Sequence, residues 1–121
     1  MPALTDIARL KRLAELFALA LSIEGTPNPS RAQLALDHLV GYGLSLRQAE
    51  QFLAQAFQRN GNITMRSPEQ VVRDVASCFR RLEHGNVLTQ VQAVLEAGDV
   101  APEHQELFEL CYQWLDHGPT E

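Results

Sequence analysis

Residues Thr5–Glu24 read TDIARLKRLAELFALALSIE, and the spacing of their apolar side chains decides the fold. Ile7, Leu10, Ala14, Phe17 and Leu21 recur at intervals of three and four, the period of an α-helix with one buried face. Leu13, Leu16 and Leu19 widen that face beyond a stripe, so the segment predicts a central helix touched from several sides. Gly25 then ends it.

Working outward, the same period recurs between helix-start and helix-stop residues. Asn28 or Ser30 caps a second helix, with Pro29 in its first turn and Gly41 and Gly43 at its end. Ser45 and Gln48 make a capping box, in which the Ser hydroxyl accepts the third helical amide and Gln reaches back to the Ser amide. The third helix buries Ala49, Phe52, Leu53, Ala56 and Phe57 and ends by Gly61. Ser67, Pro68 and Gln70 repeat the start for a fourth helix. Its inward stripe is Val71 or Val72, Val75, Cys78 or Phe79, and Leu82, leaving Arg66, Arg73, Arg80 and Arg81 outside. A fifth helix is expected from about Asn86 to Ala97. A last one, from Pro102 to His117, presents Leu107, Leu110, Cys111, Trp114 and Leu115. Strand signals are nearly absent and the connections are short. The expectation is an all-α, compact antiparallel bundle of about six helices, forming one domain over residues 1–121.

Displacing the chain by 73 positions superposes Gly25 on Gly98, Pro29 on Pro102 and Leu34 on Leu107. Both places read helix, Gly, three residues, Pro, helix. Two pseudo-repeated hairpins, the first and second helices and the fifth and sixth, would give this echo. So would the ordinary preference for Gly after a helix and Pro in the first turn of the next.

The second of these hairpins reads Val94-Leu95-Glu96-Ala97-Gly98-Asp99-Val100-Ala101-Pro102-Glu103-His104, then Glu106-Leu107-Phe108-Glu109-Leu110. The first reads Leu21-Ser22-Ile23-Glu24-Gly25-Thr26-Pro27-Asn28, and the middle segment Gly43-Leu44-Ser45-Leu46-Arg47-Gln48-Ala49-Glu50 opens a helix between them. Together these stretches resemble the tellurite-resistance TerB-like domain, a family of small helical bundles that includes the N-terminal region of DjlA co-chaperones. The family pattern is an apolar helix ending in Ala-x-Asp-Gly, a short turn with an apolar residue, and Glu in the first turn of the next helix. Gly98 and Val100 match it. Ala97 stands where the Asp belongs, with Asp99 just after the Gly, and His104 stands where the Glu belongs, with Glu103 one place earlier. In the first hairpin Glu24 keeps the acid before Gly25, but Arg31 takes the Glu position. The resemblance implies a helical bundle, divalent metal bound by acidic residues of the turns, and a stress-related role exercised through protein contacts.

A hard divalent cation needs about six or more converging oxygen ligands. This chain offers Glu24 from one hairpin and Asp99 and Glu103 from the other, with Arg31 placing a positive charge beside them. No metal site is therefore expected. His38, His84, His104 and His117 lack zinc spacing and are read as surface or cap residues. No nucleophile motif or Gly-rich phosphate loop is present, and Gly41-Tyr42-Gly43 reads as a helix stop. Catalytic residues and cofactors are thus expected to be none. Cys78 and Cys111 read as free, buried, inert thiols. Met1 to Asp6 has no basic n-region, and the apolar run Leu16 to Ile23 is well short of a membrane span, which favours the cytoplasm and no membrane.

The charge is uneven. The chain carries 10 Lys+Arg and 15 Asp+Glu, a net charge of −5. From Glu83 onward every charged residue is acidic: Glu83, Glu96, Asp99, Glu103, Glu106, Glu109, Asp116 and Glu121. Nucleic acid is disfavoured as a partner, since it needs a basic face across the domain. On the expected helices the charges form an acidic last hairpin facing away from an arginine-bearing fourth helix. Asp99, Glu103 and Glu106 are the candidate partner-binding residues, for a protein with a basic surface. The same polarity permits head-to-tail self-association. The expected function is a non-catalytic protein-interaction module. The alternatives are a divalent-metal-binding stress protein and a small-molecule or lipid carrier with an interhelical cavity.

Overall fold

The computed structural model describes residues 4–23, 29–62, 67–98 and 100–115. Among them run α1 (Leu4–Ser22), α2 (Pro29–Gly41), α3 (Leu46–Asn62), α4 (Pro68–Cys78), α5 (Arg81–Leu95) and α6 (Pro102–Leu115), with no strand. The expected all-α bundle is what forms. Helix α1 is its centre: it packs against α2, α3, α4 and α5, while α6 closes over α4 and α5. An unbroken run from Leu13 to Ala18 is buried, which requires neighbours on every side and explains why its apolar residues exceed one stripe. Each fully buried Leu or Phe here contributes roughly 1.5–3 kcal/mol of burial free energy. Glu15 is caught inside that run at 1% exposure, and Arg12 Nη1 donates to its carboxylate at 3.2 Å.

The starts of α3, α5 and α6 share one device, a side chain three residues on that reaches back to the cap amide. At α3 the Ser45 amide donates to Gln48 Oε1 at 3.0 Å, and the Gln48 amide donates to Ser45 Oγ at 3.1 Å, completing the expected capping box. At α5 the Arg80 amide donates to Glu83 Oε1 at 2.9 Å. At α6 the Ala101 amide donates to His104 Nδ1 at 2.8 Å. At α4 Ser67 Oγ accepts from the Gln70 amide at 3.2 Å, but the Gln70 side chain turns away and donates to Asp74 at 2.9 Å. The α2 stop is also as expected: Gly43 takes φ +109°, a left-handed geometry that a Cβ would strain.

The boundary between α4 and α5 differs from the expected one. Helix α4 ends at Cys78, and α5 begins at Arg81, five residues before Asn86. Neither Gly nor Pro marks the break. Phe79 leaves the helix in an extended conformation and stays buried at 4% exposure. His84 Nε2 donates to the carbonyls of Ala76 at 2.9 Å and Phe79 at 3.0 Å, filling acceptors that the helix end leaves open. Glu83 caps the new start and also receives Arg9 Nη1 at 2.8 Å. Burial pushes the Glu83 carboxyl up, but the Arg80 amide and the Arg9 guanidinium outweigh it and hold it below its usual value. The break swings Leu82, expected inside, to 92% exposure.

Cys111 is free and fully buried, and burial pushes its thiol up to about 12. Cys78 is free but only half-buried. No helix among the described residues is long and apolar enough to cross a membrane.

Candidate functional site

The α5–α6 hairpin carries the residues singled out from sequence. Glu103 and Glu106 are exposed on the outer side of α6, and Asp99 lies outside the described residues. Their exposure follows from the packing of the other side: His104, Leu107, Cys111 and Leu115 turn inward, so positions 103, 106 and 109 turn out. Glu109 extends the row one further step, and Tyr112, 53% exposed, ends it. Among the described residues none of Glu103, Glu106 and Glu109 has an ion pair or hydrogen-bonded partner on its carboxylate. Carboxylates three apart on a helix repel, by roughly 0.2–0.5 kcal/mol a pair. Glu103, in the first turn, gains from the positive end of the helix, whereas Glu109 does not. The row is therefore a concentration of negative potential that the helix itself does not need.

The arginines of the fourth helix do not stand opposite this hairpin. Arg73 is exposed, but α4 packs on α6, and the Arg73 guanidinium lies over the Trp114 ring, 4.9 Å from its centroid. Long arginine stems lie down on aromatic faces while the head stays in water, and charge periodicity alone does not show which aromatic is within reach. Arg80 and Arg81 are exposed, and Arg66 lies outside the described residues.

The positions at which the family resemblance places carboxylates are built differently. Arg31 is fully buried, one of the largest fully buried side chains of the chain. Its guanidinium lies against the last turn of α5: Nε donates to the Val94 and Leu95 carbonyls at 3.2 Å each, and Nη2 to Leu95 at 2.8 Å. These carbonyls are among the acceptors that a helix end leaves open, at the pole where a cation is favoured. Arg31 thus ties α2 to α5 across the two hairpins. His104 is 1% exposed, and its Nδ1 must be unprotonated to accept the Ala101 amide. The Arg31 tie was not read from the sequence, whereas the cap was one of the two settings expected for His104. His104 had a signal, standing three residues after the cap where Gln48 and Glu83 stand; Arg31 had none. Of the surface or cap settings expected for the histidines, the surface one is corrected: His84 and His104 are buried, each closing a helix end, His38 is half-buried, and His117 lies outside the described residues.

Glu24 is also outside the described residues. Among those described, no group of three or more His, Cys, Asp or Glu side chains is placed to hold a metal ion. No family model, curated protein or solved structure matches the chain.

Proposed function

We propose that this chain is a non-catalytic, cytoplasmic interaction module of TerB-like type, which docks a protein with a basic surface through the outer side of α6. One observation carries the reading: the row Glu103, Glu106, Glu109 is exposed and without a cationic neighbour among the described residues, while the opposite side of the same helix is buried. Asp99, next to the same helix start in sequence, adds to the charge. A basic partner relieves the repulsion within the row and is drawn to it from a distance, faster at low salt. The stress-related role that the resemblance implies is compatible with such docking.

The double substitution Glu103→Lys and Glu106→Lys tests this. Both sites are exposed, and reversing Glu103 forfeits its gain at the helix start, so stability should fall by about 1 kcal/mol, with the fold retained. Immobilised wild-type protein should retain a basic partner from a cognate lysate, with retention falling steeply as salt rises, and the double variant should lose it. Equal recovery by both proteins would remove the α6 surface from the proposal.

A further inference from the structure

Helix α5 buries His84, Val87, Val91, Val94 and Leu95, so Leu82, Gly85, Asn86, Thr89, Ala93 and Glu96 fall on its outer side. All are exposed except Ala93, which is half-buried. This side has the opposite character to the outer row of α6. Between Arg81 and Glu96 the only Asp, Glu, Lys or Arg is Glu83, and Arg9 Nη1 holds both of its carboxylate oxygens, at 2.8 and 3.1 Å. Leu82, 92% exposed, stands at the start of this uncharged side. Gly85 follows one turn later, and among the described residues nothing lies within 4 Å of where a Cβ would stand. No contact there calls for a glycine in a helix interior, where it costs stability. A close approach by another molecule would.

The charges at its two ends say what fits. Arg80 and Arg81, both exposed, flank the start of the helix, and Glu96, exposed and receiving a 3.1 Å hydrogen bond from Gln92, ends it. A second copy laid parallel would set arginine on arginine and glutamate on glutamate. Laid antiparallel, it sets each arginine end on a glutamate end. We propose that two copies of this chain pair through the outer sides of their α5 helices, antiparallel about a twofold axis, with Leu82 of each resting on Ala93 of the other. The spacing then fixes the rest. Matching Leu82 with Ala93 puts the axis midway between Val87 and Leu88, sets Asn86 opposite Thr89, and brings Arg80 level with Leu95. Glu96 is one residue further on, about 1.5 Å along the helix, within reach of a guanidinium. Arg81 is already engaged within the chain, so the pairing is assigned to Arg80. The exposed charge pairs set direction, and burial of Leu82 supplies the attraction. Such a contact uses the same patch on both copies and closes at two.

Sedimentation of the full chain from about 1 μM to about 1 mM should show monomer passing to dimer, with no larger species. Leu82→Asp should raise the dissociation constant about tenfold or more with an unchanged circular-dichroism spectrum, and Leu82→Ser, which adds no charge, should raise it in the same direction. Arg80→Glu and Glu96→Lys should each weaken pairing between identical chains, because each leaves like charges facing. Mixed in equal amounts, these two proteins should pair again, since every charged contact between them then joins opposite signs. The double substitution Glu103→Lys and Glu106→Lys should pair like the wild type, so that pairing through α5 and docking through α6 are read separately. The proposal is overturned if the chain stays monomeric to about 1 mM, if it assembles beyond the dimer, or if Leu82→Asp pairs as the wild type does. It is equally overturned if the mixture fails to pair, or if the Glu103 and Glu106 substitutions disperse the dimer.

Discussion

The two hairpins each bury a polar side chain two positions after a proline, Arg31 after Pro29 and His104 after Pro102, and the two do opposite kinds of work. Arg31 leaves its own turn and closes the far end of α5, 63 and 64 residues away. His104 stays in its own turn and closes the start of its own helix, three residues away. Two hairpins with the same Pro spacing can therefore carry a tertiary contact in one and a local contact in the other. Length and charge decide which: a guanidinium on a long stem spans two helices, and an imidazole does not.

The difference can be broken most forcibly at Arg31. Arg31→Met keeps an unbranched apolar stem but removes every donor, leaving the Val94 and Leu95 carbonyls without this partner. Chemical denaturation should show a loss of about 3 kcal/mol; a loss under about 1 kcal/mol would mean that the α2–α5 tie is incidental. A smaller effect is expected at His104. His104→Ala should cost about 1–2 kcal/mol, the range for a lost helix cap. His104→Gln, which still presents an acceptor three residues after the cap, should recover most of it. Failure of Gln to rescue would show that ring packing, and not the cap, is what His104 supplies.

Acid sharpens the comparison further, with the smallest effect. In the first hairpin His38 packs its ring 5.9 Å from Phe17, and burial lowers its pKa below 6.5, with Asp37 partly opposing. Below that value the unfolded chain takes up a proton that the folded one refuses. Stability should therefore fall as pH drops through the ordinary imidazole range, and stay level above it. Melting followed from about pH 7.5 to about pH 5 should show a shallower decline in His38→Gln than in the wild type. An identical decline would place the acid sensitivity elsewhere.

These contrasts also mark how far the sequence could be read. Helix number, the central place of α1, the Ser45–Gln48 box and the Gly43 stop were all legible, because each is encoded within a few residues of itself. The α4–α5 break was not: it depends on Phe79 staying buried and on His84 turning back to donate to the carbonyls at the end of α4, and no breaker residue announces either. With the break invisible, Leu82 was counted inward and is instead the most exposed large apolar side chain described. At the candidate site, the outward direction of Glu103 and Glu106 was legible from the spacing of the residues buried behind them. The position of Arg73 over Trp114 was not, since helical period gives direction on one helix but not the register between two.

The Arg31 tie has a consequence in time as well as in energy. A contact joining residues more than sixty positions apart forms only after the intervening chain has been gathered in, and so comes late in folding. The helix-start bonds of Gln48, Glu83 and His104 each close within four residues and face no such delay. Arg31 is then expected to act as a latch, made after those helix starts and lost before them. The stability that it supplies appears mainly as a slower rate of unfolding, and the Arg31→Met protein should reach the native state about as fast as the wild type but leave it sooner.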